Sequence, residues 1–227
     1  MVKVLLAEDE AAIRKGYAAL LESAGYSVLA VKNGEEAVRD FVALKPTLVI
    51  LDCKMPKMDG FRACQEIRRQ NARVPIIFLT ANDSEANEVR AIGLGGDDFI
   101  SKADSDSVLL ARLARAIERQ TPEIGAAGPL RSLRLGEVFV DFVSLDVTDG
   151  ARHQERLTRT EADVLALLAS SRGSLFSADQ IIAFLRGAGF SCEDSMVYVH
   201  ISNLRRKLGP AARFLASRRG AGYCLSI

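Results

Sequence analysis

The feature that most constrains this chain is a repeat of short apolar runs separated by longer amphipathic stretches. Runs at Val2 to Ala7, Thr47 to Leu51, Val74 to Leu79 and Phe99 to Ile100 are apolar at nearly every position, so strands built from them need cover on both faces. Between them, Ala11 to Ser23, Glu35 to Leu44, Gly60 to Arg69, Ser84 to Leu94 and Ser107 to Arg119 fit helices of ordinary length. The alternation predicts an α/β, doubly wound parallel sheet of five strands and five helices over residues 1–120.

In such a sheet ligands bind beyond the carboxyl ends of the strands. Glu8 and Asp9 follow the first run and Asp52 follows Leu51, so three carboxylates are expected on one edge. Like charges that close require a counter-ion. No His or Cys accompanies them in a ligand pattern, which favours a hard cation such as Mg²⁺ over zinc. Asp52 then has a second possible role as nucleophile toward a phosphoryl group. Thr80 ends the fourth strand and Lys102 the fifth, bringing a hydroxyl and an ammonium to the same edge.

Residues 121–130 contain TPEIGAAGP, with two prolines and two glycines among small residues, and read as a linker. A second fold is expected over residues 131–227. LRLGEVFVDFVSLDV followed by Thr148-Asp149-Gly150 suggests a small antiparallel sheet. Three helices follow. Thr158 with Glu161 forms a capping-box pattern opening a helix to about Ser170; Ser177 caps a second, and Asp194 or Ser195 a third ending near Leu208. RRGAGYCLSI reads as a hairpin with Gly220 and Gly222 at its bend. On the third helix Val197, Ile201, Leu204 and Leu208 repeat at helical spacing as a buried stripe. Tyr198, Ser202 and Arg205 share another face, with His200, Asn203, Arg206 and Lys207 nearby, offering donors to phosphates and base edges.

Charge follows the same division. The whole chain of 227 residues carries a net charge of only +1, yet no acidic residue follows Asp194, while Arg205, Arg206, Lys207, Arg213, Arg218 and Arg219 do. A polyanionic partner should meet that end. With 48% hydrophobic and 26% charged residues the composition is that of a globular chain. No apolar run approaches a membrane span and no leader pattern precedes Val2, so the expectation is a cytoplasmic protein. Cys53, Cys64, Cys192 and Cys224 lack paired spacing and read as reduced, structurally neutral thiols.

Four segments carry a resemblance. VKVLLAEDE, PTLVILDCKMPKMDG, PIIFLTA and GLGGDDFISK resemble the flavodoxin-like (βα)5 receiver domain of two-component response regulators, over residues 2–119. The resemblance implies that Asp52 is the phosphoacceptor, that Glu8, Asp9, Asp52 and the Lys54 backbone carbonyl hold Mg²⁺, and that Thr80 and Lys102 contact the phosphoryl group. Thr80 and Phe99 would be the switch pair. Asp97, Asp98, Arg112, Arg115 and Arg119 would form a dimer face. On that face Glu88 stands where a base is usual, and Gly93 and Val108 where acids are usual. Ala103 replaces the usual Pro after Lys102, and Lys54 sits two residues past the acceptor, near the path of hydrolytic water.

LTRTEADVLALL, VYVHISNLRRKLG and RRGAGY resemble the α+β winged helix-turn-helix domain of the OmpR/PhoB subfamily. The resemblance implies that the third helix enters the major groove of promoter DNA and that Arg219 approaches the minor groove. Among Tyr198, His200, Ser202, Asn203, Arg205, Arg206, Arg219 and Tyr223, it makes His200 and Arg205 phosphate contacts, Asn203 a base reader and Tyr223 a support of the wing. Ser195, Met196 and Tyr198 differ from the usual Arg-Thr-Val-Asp run, so base preference is not transferable.

The implied function is a transcription factor activated by a sensor histidine kinase, homodimeric when activated and working with RNA polymerase. The receiver would catalyse only its own phosphorylation and dephosphorylation. An alternative keeps both domains but makes DNA binding independent of phosphorylation. Two rivals fit less well. An aspartyl-phosphate phosphatase needs a general acid where Lys54 stands, and a flavin module needs aromatic loops in a chain without Trp.

Overall fold

The computed structural model describes residues 2–71, 73–81, 85–118, 130–150, 153–187, 194–218 and 220–226. For residues 85, 86, 88, 118, 153, 154, 186, 187, 194 and 195 only the backbone is described. The sequence expectations at Asn82, Ser84, Arg119, Cys192, Arg219 and residues 121–129, and those on the side chains of Glu88 and Ser195, lie outside the described residues.

The first unit, Met1–Gln120, is built from β1 (Lys3–Ala7), α1 (Ala11–Ser23), β2 (Ser27–Val31), α2 (Gly34–Leu44), β3 (Leu48–Asp52), α3 (Gly60–Gln70), β4 (Ile76–Thr80), α4 (Glu85–Gly93), β5 (Asp98–Ser101) and α5 (Asp106–Glu118). The five strands are parallel in the order β2-β1-β3-β4-β5. Side chains alternate across the sheet. Leu5, Val49, Leu51, Ile76 and Phe78 join residues of α2, α3 and α4 in one core, while Val4, Leu6, Ile50, Ile77 and Leu79 join residues of α1 and α5 in another. Continuous apolar runs are therefore what these strands need. β2 was not among the runs read from sequence: it is an edge strand, and in SVLAV only Val31 is fully buried. Helix starts are set by side-chain caps, Asn33 for α2 and Asp59 for α3.

The second unit, Thr121–Ile227, holds an antiparallel sheet of β6 (Ser132–Leu135), β7 (Val138–Asp141), β8 (Asp146–Asp149) and β9 (His153–Arg156). Helices α6 (Arg159–Ser170), α7 (Ala178–Gly187) and α8 (Asp194–Leu208) follow, then a 3₁₀ turn at Gly209–Phe214 and the hairpin β10 (Leu215–Arg218) and β11 (Gly222–Leu225). The predicted capping box exists: Glu161 N–H donates to Thr158 Oγ1 at 3.3 Å and Thr158 N–H to Glu161 Oε2 at 2.8 Å. Ser177 and Gln180 exchange the same pair of bonds at the start of α7. Gly209, at φ +52°, ends α8 in the left-handed region, and Pro210 prevents its continuation. The hairpin begins at Leu215, upstream of the two arginines that opened it in the sequence reading.

Candidate phosphoryl pocket and nucleic-acid face

Each pocket residue is positioned by backbone at a strand end. Glu8 N–H donates to Val31 O at 3.0 Å, fixing the turn after β1. Arg14, from the first turn of α1, donates through Nη1 to the carbonyls of Glu8 and Asp9 at 2.7 and 2.9 Å. Asp52 ends β3, and Lys102 N–H donates to Thr80 O at 2.7 Å, joining the ends of β4 and β5. Gly60 returns the chain against Asp52; a Cβ there would lie 2.0 Å from the Asp52 carbonyl oxygen. Only glycine permits that approach.

Ligand-capable oxygens of Glu8, Asp9 and Asp52 lie within 4.8 Å of one another. Glu8 and Asp52 are buried and Asp9 is exposed. Lys102 Nζ stands between the two buried carboxylates, 2.7 Å from Glu8 Oε2 and 3.3 Å from Asp52 Oδ2. Burial raises the pKa of both acids, opposed by Lys102 and, at Asp52, also by a backbone N–H of Lys54. Burial alone would lower the Lys102 pKa, but Glu8 and Asp52 more than offset it and raise it. Three carboxylates thus face one ammonium, and the surplus negative charge suits a hard divalent cation with oxygen ligands. Thr80 is buried at the same edge, where its hydroxyl bonds the Cys53 thiol, and burial pushes that thiol up to about 12. Phe99 is buried in the α2–α3–α4 core, and the Lys54 side chain is exposed.

Two residues expected on the dimer face are spent inside the unit. Asp97 is 4% exposed; it pairs with Arg68 Nη2 at 2.5 Å and accepts Ile76 N–H at 2.9 Å. Arg68 also donates to the carbonyls of Gly95 and Val74, so it braces α3 against the β4 and β5 ends. Asp98 is buried and pairs with Arg112 at 3.3 Å. Arg115 is exposed.

In the second unit the stripe Val197, Ile201, Leu204 and Leu208 is fully buried, as its spacing predicts. Tyr198 (66% exposed), Ser202 and Arg206 face outward, and Asn203 and Tyr223 are half-buried. His200 departs from its expected place on that face. It is 3% exposed, with its pKa lowered to about 4 by burial, so it is neutral and inward, without the charge or access for a phosphate contact. Lys207 is also inward, its Nζ 2.6 Å from Glu161 Oε2. Both could have been found from spacing: His200 and Lys207 each stand three residues after a buried member of the stripe. Arg205 is half-buried, donating through Nε and Nη2 to Leu215 O at 3.2 and 2.8 Å and through Nη2 to Ser217 Oγ at 2.5 Å.

Comparison with known proteins follows this division. The family described as response regulator receiver domain matches residues 4–114, and the one described as transcriptional regulatory protein, C terminal, matches residues 152–225. The response regulator MprA of Mycolicibacterium vanbaalenii is 32% identical over 226 residues, covering 99% of this chain and 97% of that protein. The chain belongs to the OmpR/PhoB subfamily of two-component response regulators. The probable transcriptional regulator ycf27 of Guillardia theta is similar, at 36% identity over 97% of this chain and 89% of its own length. A solved RitR mutant shares the fold, with a TM-score of 0.75 at 22% identity, over 100% of this chain and 99% of its own. This regulator is therefore a transcription factor with a receiver and an effector domain. Among its described residues no helix is long and apolar enough to cross a membrane.

Proposed function

We propose that this regulator binds promoter DNA under the control of phosphoryl transfer from a sensor histidine kinase to Asp52. The observation that carries the reading is Lys102 Nζ at 2.7 and 3.3 Å from two buried carboxylates at strand ends, with a third carboxylate within 4.8 Å. In the transfer, an Asp52 carboxylate oxygen forms the bond to phosphorus as the bond to the kinase histidine nitrogen breaks, the electron pair leaving with that nitrogen. Lys102 and Thr80 then bind the phosphoryl oxygens, and Lys102 exchanges part of its hold on Glu8 for them. Mg²⁺, held by Glu8, Asp9, Asp52 and the Lys54 backbone carbonyl, supplies positive charge for the transferred group. With Thr80 engaged, Phe99 and α4 adjust, and the equilibrium shifts toward the DNA-binding state.

Residues 1–120 act as the receiver, 121–130 as linker and 131–227 as the DNA-binding domain. On DNA, Tyr198, Ser202, Asn203 and Arg206 of α8 meet the major groove, with Asn203 on a base edge, and Arg219 and Tyr223 serve the wing. Activated chains pair through Arg115 and Arg119, with Arg112 staying on Asp98, then engage RNA polymerase in the cytoplasm; no chemistry is performed on outside substrates. Because Asp97 and Asp98 are already paired internally, control without phosphorylation is the second reading. Incubation with a small-molecule phosphodonor and Mg²⁺ tests the chemistry. Wild type should gain an acid-stable, base-labile phosphoryl group, and Asp52→Asn should gain none; labelling that survives in Asp52→Asn contradicts the assignment.

A further inference from the structure

Among the described residues β10 and β11 form a two-stranded sheet, and such a ribbon is marginal by itself. Each strand is held from outside. On the β11 side, Phe176 N–H donates to Tyr223 O at 2.8 Å and Tyr223 N–H to Phe176 O at 2.9 Å. Gly222, at φ +125°, allows this approach; a Cβ there would lie 2.0 Å from Phe176 O. On the β10 side the hold comes from α8: the Arg205 guanidinium clasps Leu215 O through two nitrogens and adds Ser217 Oγ. The backbone of α8 is itself anchored by its fully buried stripe.

We propose that Arg205 is a positioning residue that locks the wing to the recognition helix, so that both approach DNA as one rigid reader. This rests on the DNA-binding reading above and replaces the phosphate contact that the family resemblance implies for Arg205. A planar guanidinium aims two donors at one carbonyl and still reaches the Ser217 hydroxyl, whereas a lysine ammonium keeps the charge without the fork. A phosphate contact would tolerate that exchange better than a clasp.

The test uses the full chain and a duplex selected from a random-sequence pool by the wild type, with affinity measured across a salt series and expressed per folded chain. Arg205→Met and Arg205→Lys should both weaken binding about tenfold, as for loss of hydrogen bonds to a charged group, with the salt slope unchanged. Ser217→Ala should weaken it less. In an Arg218→Ala/Arg219→Ala background, where the wing has lost its cations, Arg205→Met should add little. Three results would overturn the proposal: Arg205→Lys binding as wild type, additive losses with a salt slope lowered by about one ion, or a loss that vanishes once unfolded chain is discounted. A wild type that selects no duplex overturns the DNA-binding reading, and the proposal with it.

Discussion

Among the described residues of the regulator, two inward-facing lysines, Lys102 and Lys207, each lie beside a buried glutamate, and they do opposite things. Lys207 meets Glu161 Oε2 at 2.6 Å, and the same oxygen accepts Thr158 N–H at 2.8 Å in the capping box of α6. One charge answers one charge. Lys102 meets Glu8 at 2.7 Å, but Asp52 lies 3.3 Å from the same ammonium and Asp9 stands beside them. Burying charge is tolerable when it is paired and hydrogen-bonded and expensive otherwise. The balanced pair joins α6 to α8, while the unbalanced cluster holds buried acids with raised pKa values in an arrangement that could hold a cation. Surplus buried charge, more than buried charge as such, separates a site from a strut.

The largest test of this contrast is Lys207→Met, which leaves Glu161 buried without its partner. Chemical denaturation should show the C-terminal unit destabilised by about 3–5 kcal/mol; a change below about 1 kcal/mol would place Lys207 among ordinary surface charges. Next comes pH. His200 lies among Glu161 and Lys207, and its lowered pKa in the fold means that its contribution is present above pH 6.5 and lost as pH falls toward about 4. That unit should lose about 3 kcal/mol across the window, and the slope should flatten in His200→Asn. Mg²⁺ sharpens the other half of the contrast. At about a hundredfold excess over its dissociation constant it should stabilise the receiver by about 2.7 kcal/mol and leave the C-terminal unit unchanged. Smallest is Arg206→Ala, whose exposed pair with Glu155 at 3.4 Å is worth under about 1 kcal/mol. There, DNA binding should respond more than stability does.

The strand-end pocket was legible because period and position together fix it: an apolar run buried on both faces must end at an edge, and the next side chain stands there. Glu8, Asp52 and Thr80 follow that rule, and Lys102 stands one residue further on, after Ser101. Edge strand β2 was less visible, since a half-buried strand need not be continuously apolar. His200 was misread because helical spacing was applied to apolar residues alone, although a neutral imidazole can occupy the same stripe. Asp97 escaped because its partner, Arg68, is distant in sequence and nothing local announces a buried ion pair. Arg205 shows a further limit: a cation on a helix reads as a ligand for phosphate until the neighbouring hairpin carbonyl is seen.

Control of the effector domain by Asp52 is the central proposal. Its most direct test compares binding of one duplex, selected by the phosphodonor-treated wild type, by untreated wild type, treated wild type and treated Asp52→Asn. Treatment should tighten binding by wild type and leave Asp52→Asn at the untreated level. If Asp52→Asn binds as tightly as treated wild type, control by phosphorylation at Asp52 is wrong.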